Sequence, residues 1–518
     1  MDRDQLGNIL ALDEARARKR KQKREDEEKN TQAQELIAFA YEAELFHTPE
    51  GECWATVLTG DHRENYPVRS KFFRRWLVRK FFEVHGKPPG SQAVQDAVGA
   101  LEAMALFDGP ECVIFNRLAE AGGAVYLDLC NEKWEAVKVT PSGWEIVNDP
   151  PVKFRRAKGM LPLPRPERGG DTEELRQFVN VTDADWPLVL AWAVAALRPT
   201  GPYPILVLQG EQGSAKSTTA RVLRELIDPS IAPLRTTPRE ERDLAITASN
   251  SWVLSYDNLS GIPTWLSDAF CRVATGGGFV TRALFTDDEE VILNFMRPVV
   301  INGIDDVVTR HDLLDRSLVV NLPVISEDRR KPEEEFWREF SEAKPRILGA
   351  LLSAVSAGLK NISSVKLDRF PRMADFAKWV TACEPALPWP KGSFMEVYDQ
   401  KRAEAVDQAL EADAVAQAIK ELLTRREFWD GTATELLDEL NEFTSEQTQR
   451  LKTWPKTGRG LSNRLRRAAT FLRQAGVDVS FSREPGSGRR VIRIKTKNIV
   501  TNVTPSQMKE KPLLNVTL

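Results

Sequence analysis

Histidine and cysteine are scarce in this chain. There are four histidines, and the five cysteines (Cys53, Cys112, Cys130, Cys271 and Cys383) stand far apart with no Cys-x-x-Cys pair. That pattern offers neither a zinc cluster nor a disulfide framework, and it suits reduced thiols in a cytosolic protein. Long apolar runs are also missing. The longest, Pro187 to Leu197, is about half of a membrane span, so no membrane partner is expected. The first residues are charged, not apolar, which gives no expectation of a signal peptide. Nor is there an excess of basic charge: 72 Lys and Arg stand against 75 Asp and Glu, a formal net charge of −3 over 518 residues. Any nucleic-acid surface must therefore be local. At roughly 150 residues per domain, the length accommodates about three domains.

What is present centres on one stretch, Ile205-Leu-Val-Leu-Gln-Gly-Glu-Gln-Gly-Ser-Ala-Lys-Ser-Thr218. Ile205 to Leu208 reads as a short buried strand. Gly210 and Gly213 open a tight turn. Lys216, Ser217 and Thr218 begin a helix with Ala220, Val222, Leu223, Leu226 and Ile227 on its apolar side. Strand, glycine loop, Lys-Ser and helix form a phosphate-binding loop in its required context. Gly210, Glu211, Gln212, Gly213, Ser214, Ala215, Lys216, Ser217 and Thr218 are the expected nucleotide-binding residues. Loop amides and the helix N-terminus face phosphates, and Lys216 adds a point charge. Ser217 is expected to ligate Mg²⁺. One position departs from the pattern: Ala215 stands where the motif has glycine. Alanine tolerates a helical backbone there but not a left-handed one.

Before the loop, residues 1–50 read as a charged helical or disordered arm, basic from Arg16 to Arg24 and acidic from Glu25 to Glu28. Residues 51–160 read as an α+β module. Its helical part, 66–106, places Phe72, Phe73, Trp76, Leu77, Phe81 and Phe82 among Arg69, Lys71, Arg74, Arg75, Arg79 and Lys80. Core packing of an amphipathic helix explains those letters, and contact with a nucleic-acid strand is the competing reading. From Cys112 to Arg155 the pattern is of short strands. The proline-rich stretch 161–170 reads as a stiff linker, and Asp171 to Leu197 as two helices.

After the loop, Arg239 to Asn250 reads as a helix and Trp252 to Asp257 as a buried strand ending in a carboxylate. Asp257 is expected beside Ser217 at the metal. Asn258 follows where an acid is common; an amide positions water but cannot take its proton. A hairpin is expected with strands Phe279 to Phe285 and Val291 to Phe295 around an acidic turn, Asp287 to Glu290. Pro298 to Asn302 reads as a third buried strand. Asn302 is expected to hydrogen-bond a γ-phosphate or attacking water, and Arg316 to reach a neighbouring subunit's nucleotide. Residues 331–410 read as a helical lid. In 411–498, three helices (Ala414 to Leu423, Thr432 to Asn441, Arg459 to Ala475) and a hairpin (Val477 to Ser482, Arg490 to Lys495) predict a winged helix. Its third helix and wing carry the expected DNA contacts Arg464, Arg467, Arg489 and Arg490. The tail 499–518 reads as disordered.

Taken in order, these motifs resemble a superfamily-three helicase-type AAA+ ATPase of the kind found in phage and plasmid primase–helicase proteins. The resemblance rests on Gly210 to Thr218, Asp257, Asn302 and Arg316, and covers about residues 171 to 408. The fold expected is α/β: a P-loop AAA+ core over 171–330 with a helical lid, an N-terminal α+β module and a C-terminal winged helix. The resemblance implies ATP and Mg²⁺, a hexameric ring, single-stranded or forked DNA, and a primase or other replication protein as partner. It also implies a bacterial or phage-infected cytoplasm. Lys216, Asp257, Asn258, Asn302 and Arg316 are the implied catalytic set, and Arg282 of the hairpin the implied strand contact. The expected function is an ATP-dependent DNA helicase in phage, plasmid or mobile-element replication. The alternative is a nucleic-acid-binding ATPase switch or defence regulator that does not unwind. A primase in 51–160 lacks an acidic metal triad, and a purely structural nucleotide-binding subunit is the remaining reading.

Overall fold

The computed structural model describes residues 32–282, 290–303, 310–451, 453–484 and 488–496. The chain forms two compact units, Met1–Val308 with Asp315–Tyr398, and Thr309–Leu314 with Asp399–Leu518.

The first unit opens with a helix over 32–39 and an antiparallel sheet of Glu44–His47, Cys53–Thr59 and His62–Pro67. Leu36 and Phe46 are fully buried, so residues 32–50 are part of this fold, although their composition reads as an arm. Two helices follow, Lys71–His85 and Ser91–Phe107. The Ser70 hydroxyl accepts from the Phe73 amide to start the first, and Gly86 ends it in the left-handed region at φ 65°. A meander of Leu118–Ala121, Ala124–Asp128, Ala136–Thr140 and Gly143–Val147 makes a four-stranded antiparallel sheet.

The central sheet is parallel, in the order Leu254–Tyr256, Val299–Gly303, Ile205–Gln209, Ser317–Asn321. Arg235 adds a parallel bridge to Tyr256 at its edge. Strands covered on both faces carry continuous apolar runs, and every residue of Ile205–Gln209 is buried. The helix Trp186–Ala196 is apolar all round and buried accordingly. The helical region after the sheet contains Glu333–Asn361, Ala374–Cys383 and Ser393–Ala412. Asp171 to Leu197 yields one α-helix rather than two, because Thr172–Phe178 is a 3₁₀ helix.

The meander and the parallel sheet share a hydrophobic core: Val125, Leu127 and Val139 belong to the same cluster as Leu206, Leu223 and Leu348. The proline-rich stretch is not a spacer between them. Leu163 is buried, and its amide donates to Leu129 O at 2.9 Å. A Cβ on Gly349 would lie 1.8 Å from Glu167 O, so only glycine lets this stretch lie against the long helix. Arg117, fully buried, donates to Asp228 Oδ1 at 3.1 Å and to Asp128 O at 3.1 Å. Asp228 ends the helix Lys216–Ile227, and its other oxygen accepts the Trp252 and Val253 amides at 2.9 and 3.1 Å. A charge this deep persists only when paired and hydrogen-bonded.

The second unit runs Ala414–Arg425, strand Phe428–Gly431, Ala433–Phe443, Glu446–Arg450, Gly458–Gln474, then strands Val477–Arg483 and Arg490–Thr496. The last strand lies between the other two in an antiparallel sheet. Phe428–Gly431 is too short, and too polar in its Asp-Gly half, to stand out in the sequence. It exists because Trp429 pairs with Ile494 and is buried.

Candidate functional site

Three strands of the parallel sheet end at one edge and deliver the expected residues there. Leu208 lies opposite Asn302, and Tyr256 opposite Ile301. Gly210, Asp257 and Asn302 therefore share the carboxyl edge, where open α/β sheets bind ligands. The Ser217 hydroxyl donates to Asp257 Oδ1 at 2.6 Å. Asn302 Nδ2 donates to the same oxygen at 2.6 Å. Asn302 Oδ1 accepts the Asn258 amide at 2.7 Å, and its carbonyl accepts the Leu259 amide at 2.9 Å.

Asn302 is thus a clamp on the 257–259 turn. Only 1% of it is exposed, and a buried amide must satisfy both ends. Both ends are engaged within the protein, one of them on Asp257; the sequence suggested a phosphate or water contact. Asn258 is exposed and left-handed at φ 55°, a conformation asparagine tolerates.

In the loop, Glu211, Gln212 and Gly213 form an exposed crest, while Ser214 is fully buried and donates to Glu211 O at 2.9 Å. A Cβ on Gly210 would meet Leu322 O at 2.5 Å and Ser214 Oγ at 2.8 Å, so the turn closes only with glycine. Lys216 Nζ donates to Gly210 O and Glu211 O, both at 2.7 Å. Desolvation lowers its pKa, and Asp257 opposes that shift. Ala215 adopts φ 60°, ψ 31°, the left-handed conformation that alanine was expected to avoid. The loop geometry overrides the residue's preference at a strain of about 1–2 kcal/mol. Thr218 is half-buried on the helix behind.

These residues fit a nucleoside triphosphate with a divalent cation. A hard cation takes oxygen ligands, and the Ser217 hydroxyl and Asp257 carboxylate are held together at hydrogen-bond distance. Phosphates take amides and an ammonium, which the loop and Lys216 present.

Two neighbours carried no sequence signal. Asn180 Nδ2 donates to Ser214 O at 3.0 Å and Pro323 O at 2.6 Å, tying the loop to the chain beyond the edge strand. Arg330 Nη2 lies 3.4 Å from where a Cβ on Gly213 would be, which sets a guanidinium beside the crest. It sits in the charged run Glu327 to Lys331, where nothing distinguishes it by type or spacing. Arg316 is elsewhere: its carbonyl accepts the Ile205 amide at 2.9 Å. That is the amino end of the strand, opposite the loop, so Arg316 is remote from the site in its own chain. The hairpin pairs Gly278–Arg282 with Glu290–Asn294; Glu290 begins a strand and is not in the turn. The Arg282 side chain and residues 283–289 lie outside the described residues.

The second unit holds a polar groove of about 710 Å³, lined in part by Arg459, Ser462, Asn463, Arg466, Ser482 and Arg490. The Arg466 guanidinium stacks 4.1 Å over Phe481. Of the four arginines expected here to meet DNA, only Arg490 lines this groove. Arg464 does not line it: it donates to Asp413 Oδ2 at 3.0 Å and to Thr453 O at 2.5 Å. Asp413 in turn caps Ala414–Arg425. Arg489 pairs with Glu435, and Arg467 is exposed on the same helix without lining the groove.

Residues 172–391 match the family model described as Actinomycete integrative conjugative element replication protein, and residues 415–507 match the AICE RepA C-terminal domain. These matches indicate a replication protein of mobile elements. They bracket the loop, Asp257 and Asn302 with the first model and the arginine-lined groove with the second. No curated protein sequence matches the chain. Similar solved structures include the A form apo structure of the NrS-1 C-terminal region, at 10% identity and TM-score 0.37, covering 89% of this chain and 98% of that one. An apo structure of the same region has 12% identity and TM-score 0.35, covering 89% and 97%. Among the described residues, no helix is long and apolar enough to cross a membrane.

Proposed function

We propose that this replication protein is an ATP-hydrolysing, DNA-unwinding motor with an AAA+ type P-loop core and a C-terminal winged helix. The observation that carries the reading is the Ser217–Asp257 hydrogen bond at 2.6 Å beside the Lys216 loop. It sets a hydroxyl and a carboxylate where a loop-bound triphosphate would need its Mg²⁺. Lys216 and the loop amides hold the phosphates, Arg330 adds a cation at the crest, and Asn302 keeps Asp257 in place. The parallel order with the loop strand second from one edge supports the AAA+ assignment. The order helix, strand, helices, hairpin supports the winged helix. Arg316 lies far from its own loop, as an arginine completing a neighbour's site in a homo-oligomeric ring must. DNA is the polynucleotide, and a primase or another replication protein is the partner class.

Phosphate release with and without single-stranded DNA, followed by strand displacement on a fork, tests this. DNA-stimulated turnover that vanishes in Lys216→Ala, together with displacement, is expected. A protein that takes up no ATP with Mg²⁺ sinks the reading. Asn258, with no acid after Asp257, favours a nucleotide-binding subunit with little turnover, while the second reading is an ATPase switch that binds DNA without unwinding it. Stimulated turnover without displacement would select it.

A further inference from the structure

The helix Lys71–His85 divides its aromatic residues between two faces. Phe73, Leu77 and Phe81 are buried against the N-terminal sheet and helices. Phe72 and Phe82 are not: 61% and 52% of them face solvent. At about 100° per residue, Lys71, Phe72, Arg75, Arg79 and Phe82 fall within an arc of roughly 100°, opposite the buried face. Lys71, Arg75 and Arg79 are exposed as well. The stripe therefore sets two rings about 15 Å apart along the helix, with Arg75 and Arg79 between them and Lys71 one residue before Phe72. The Phe72 ring is backed by Tyr66, stacked at 5.4 Å and 11°, which leaves its other side to solvent. Two acids border the arc: Glu83 pairs with Arg79 at 2.8 Å, and Glu64 accepts from the Tyr66 hydroxyl behind Phe72.

We propose that this stripe binds single-stranded DNA, with bases stacked on Phe72 and Phe82 and phosphates on Lys71, Arg75 and Arg79. Water-facing phenylalanines interleaved with exposed cations match a polyanion that also carries free π-faces. A duplex keeps its bases stacked and offers none, and an acidic protein surface would leave the rings without a partner. The inference does not depend on ATP hydrolysis, nor on the groove of the second unit.

The test is fluorescence anisotropy of a labelled oligothymidine and a labelled duplex with the full chain. Phe72→Ala/Phe82→Ala should weaken single-strand binding about tenfold or more and leave duplex binding unchanged. Phe72→Trp/Phe82→Trp should restore it. Arg75→Glu/Arg79→Glu gives the same loss through charge alone, with no dependence on the Tyr66 stack. Single-strand affinity equal to the parent in both the alanine and the glutamate variants would overturn the proposal. Equal losses on single strand and duplex would do so too. Altered self-association with DNA affinity intact would assign the stripe to a protein contact instead.

Discussion

The Ser217 hydroxyl donates to Asp257 Oδ1 at 2.6 Å, joining the first turn of one helix to the end of a strand forty residues later. Asn302 holds the same carboxylate oxygen from the neighbouring strand. Asp257→Asn keeps the shape and removes the charge a divalent cation needs. ATP turnover should fall about 100-fold or more, while nucleotide binding without Mg²⁺ stays within a few-fold, read by steady-state hydrolysis and a fluorescent nucleotide titration. Loss of turnover on the scale of about 2.7–4 kcal/mol is what electrostatic stabilisation at such a site supplies.

Ala215→Gly reverses the usual cost of glycine. Elsewhere in a helix the change loses about 1 kcal/mol. At φ 60° it relieves strain instead, and after the entropy of a freer unfolded chain the net effect is neutral to about 1 kcal/mol stabilising. Ala215→Val should destabilise. Denaturant midpoints for the two variants check the sign, and a clear loss on Ala215→Gly would show that the left-handed turn is not adopted.

Arg464 and Arg466 stand two residues apart and should behave oppositely. Arg464→Ala releases Asp413 from its pair and is expected to lower the unfolding midpoint, by about 1 kcal/mol for a partly exposed pair. Arg466→Ala leaves folding intact and weakens DNA binding, with the salt dependence reduced by about one ion. Thermal melts and binding at two salt concentrations separate the two effects.

His311 lies against Phe471 at 4.5 Å between ring centroids, with its Nδ1 buried and without a hydrogen-bond partner. Burial lowers its pKa below the ordinary 6.5; Asp413 opposes this, and Arg464 adds to it. A depressed histidine favours the neutral form when folded, so the unfolded chain takes up the proton first. Its contribution is complete above pH 6.5 and declines as the pH falls from there towards the folded value. Melting of the second unit should drop across that window in the parent. His311→Gln should flatten this part of the profile.

The strand, glycine turn and helix around Lys216 were legible from sequence because the glycines, lysine and serine are contiguous and lie between an apolar run and an amphipathic one. Asp257 and Asn302 were legible as the ends of apolar runs. Their joint grip on one oxygen was not, since strand order and register decide it. Arg330 and Asn180 sit in segments without periodicity and matter only through where the chain returns. The arginines of the second unit were visible as a set, but not which of them face inward. Arg464 turns to Asp413 through a contact spanning fifty residues, which no local pattern encodes.

Local chemistry in the sequence determined the elements themselves: the strand before the loop, the helix after it, the two-faced helix Lys71–His85 and the helix–hairpin order of the second unit. Those depend on neighbours within a few residues, through hydrogen bonding, capping and the spacing of apolar side chains. Tertiary structure alone decided that Ala215 is left-handed and that the proline-rich stretch is packed. It also buried Arg117, which reaches Asp228 at the end of the helix Lys216–Ile227. The reason is physical: burial, pairing of charge and backbone strain are set by residues distant in sequence, and only the folded chain brings them together.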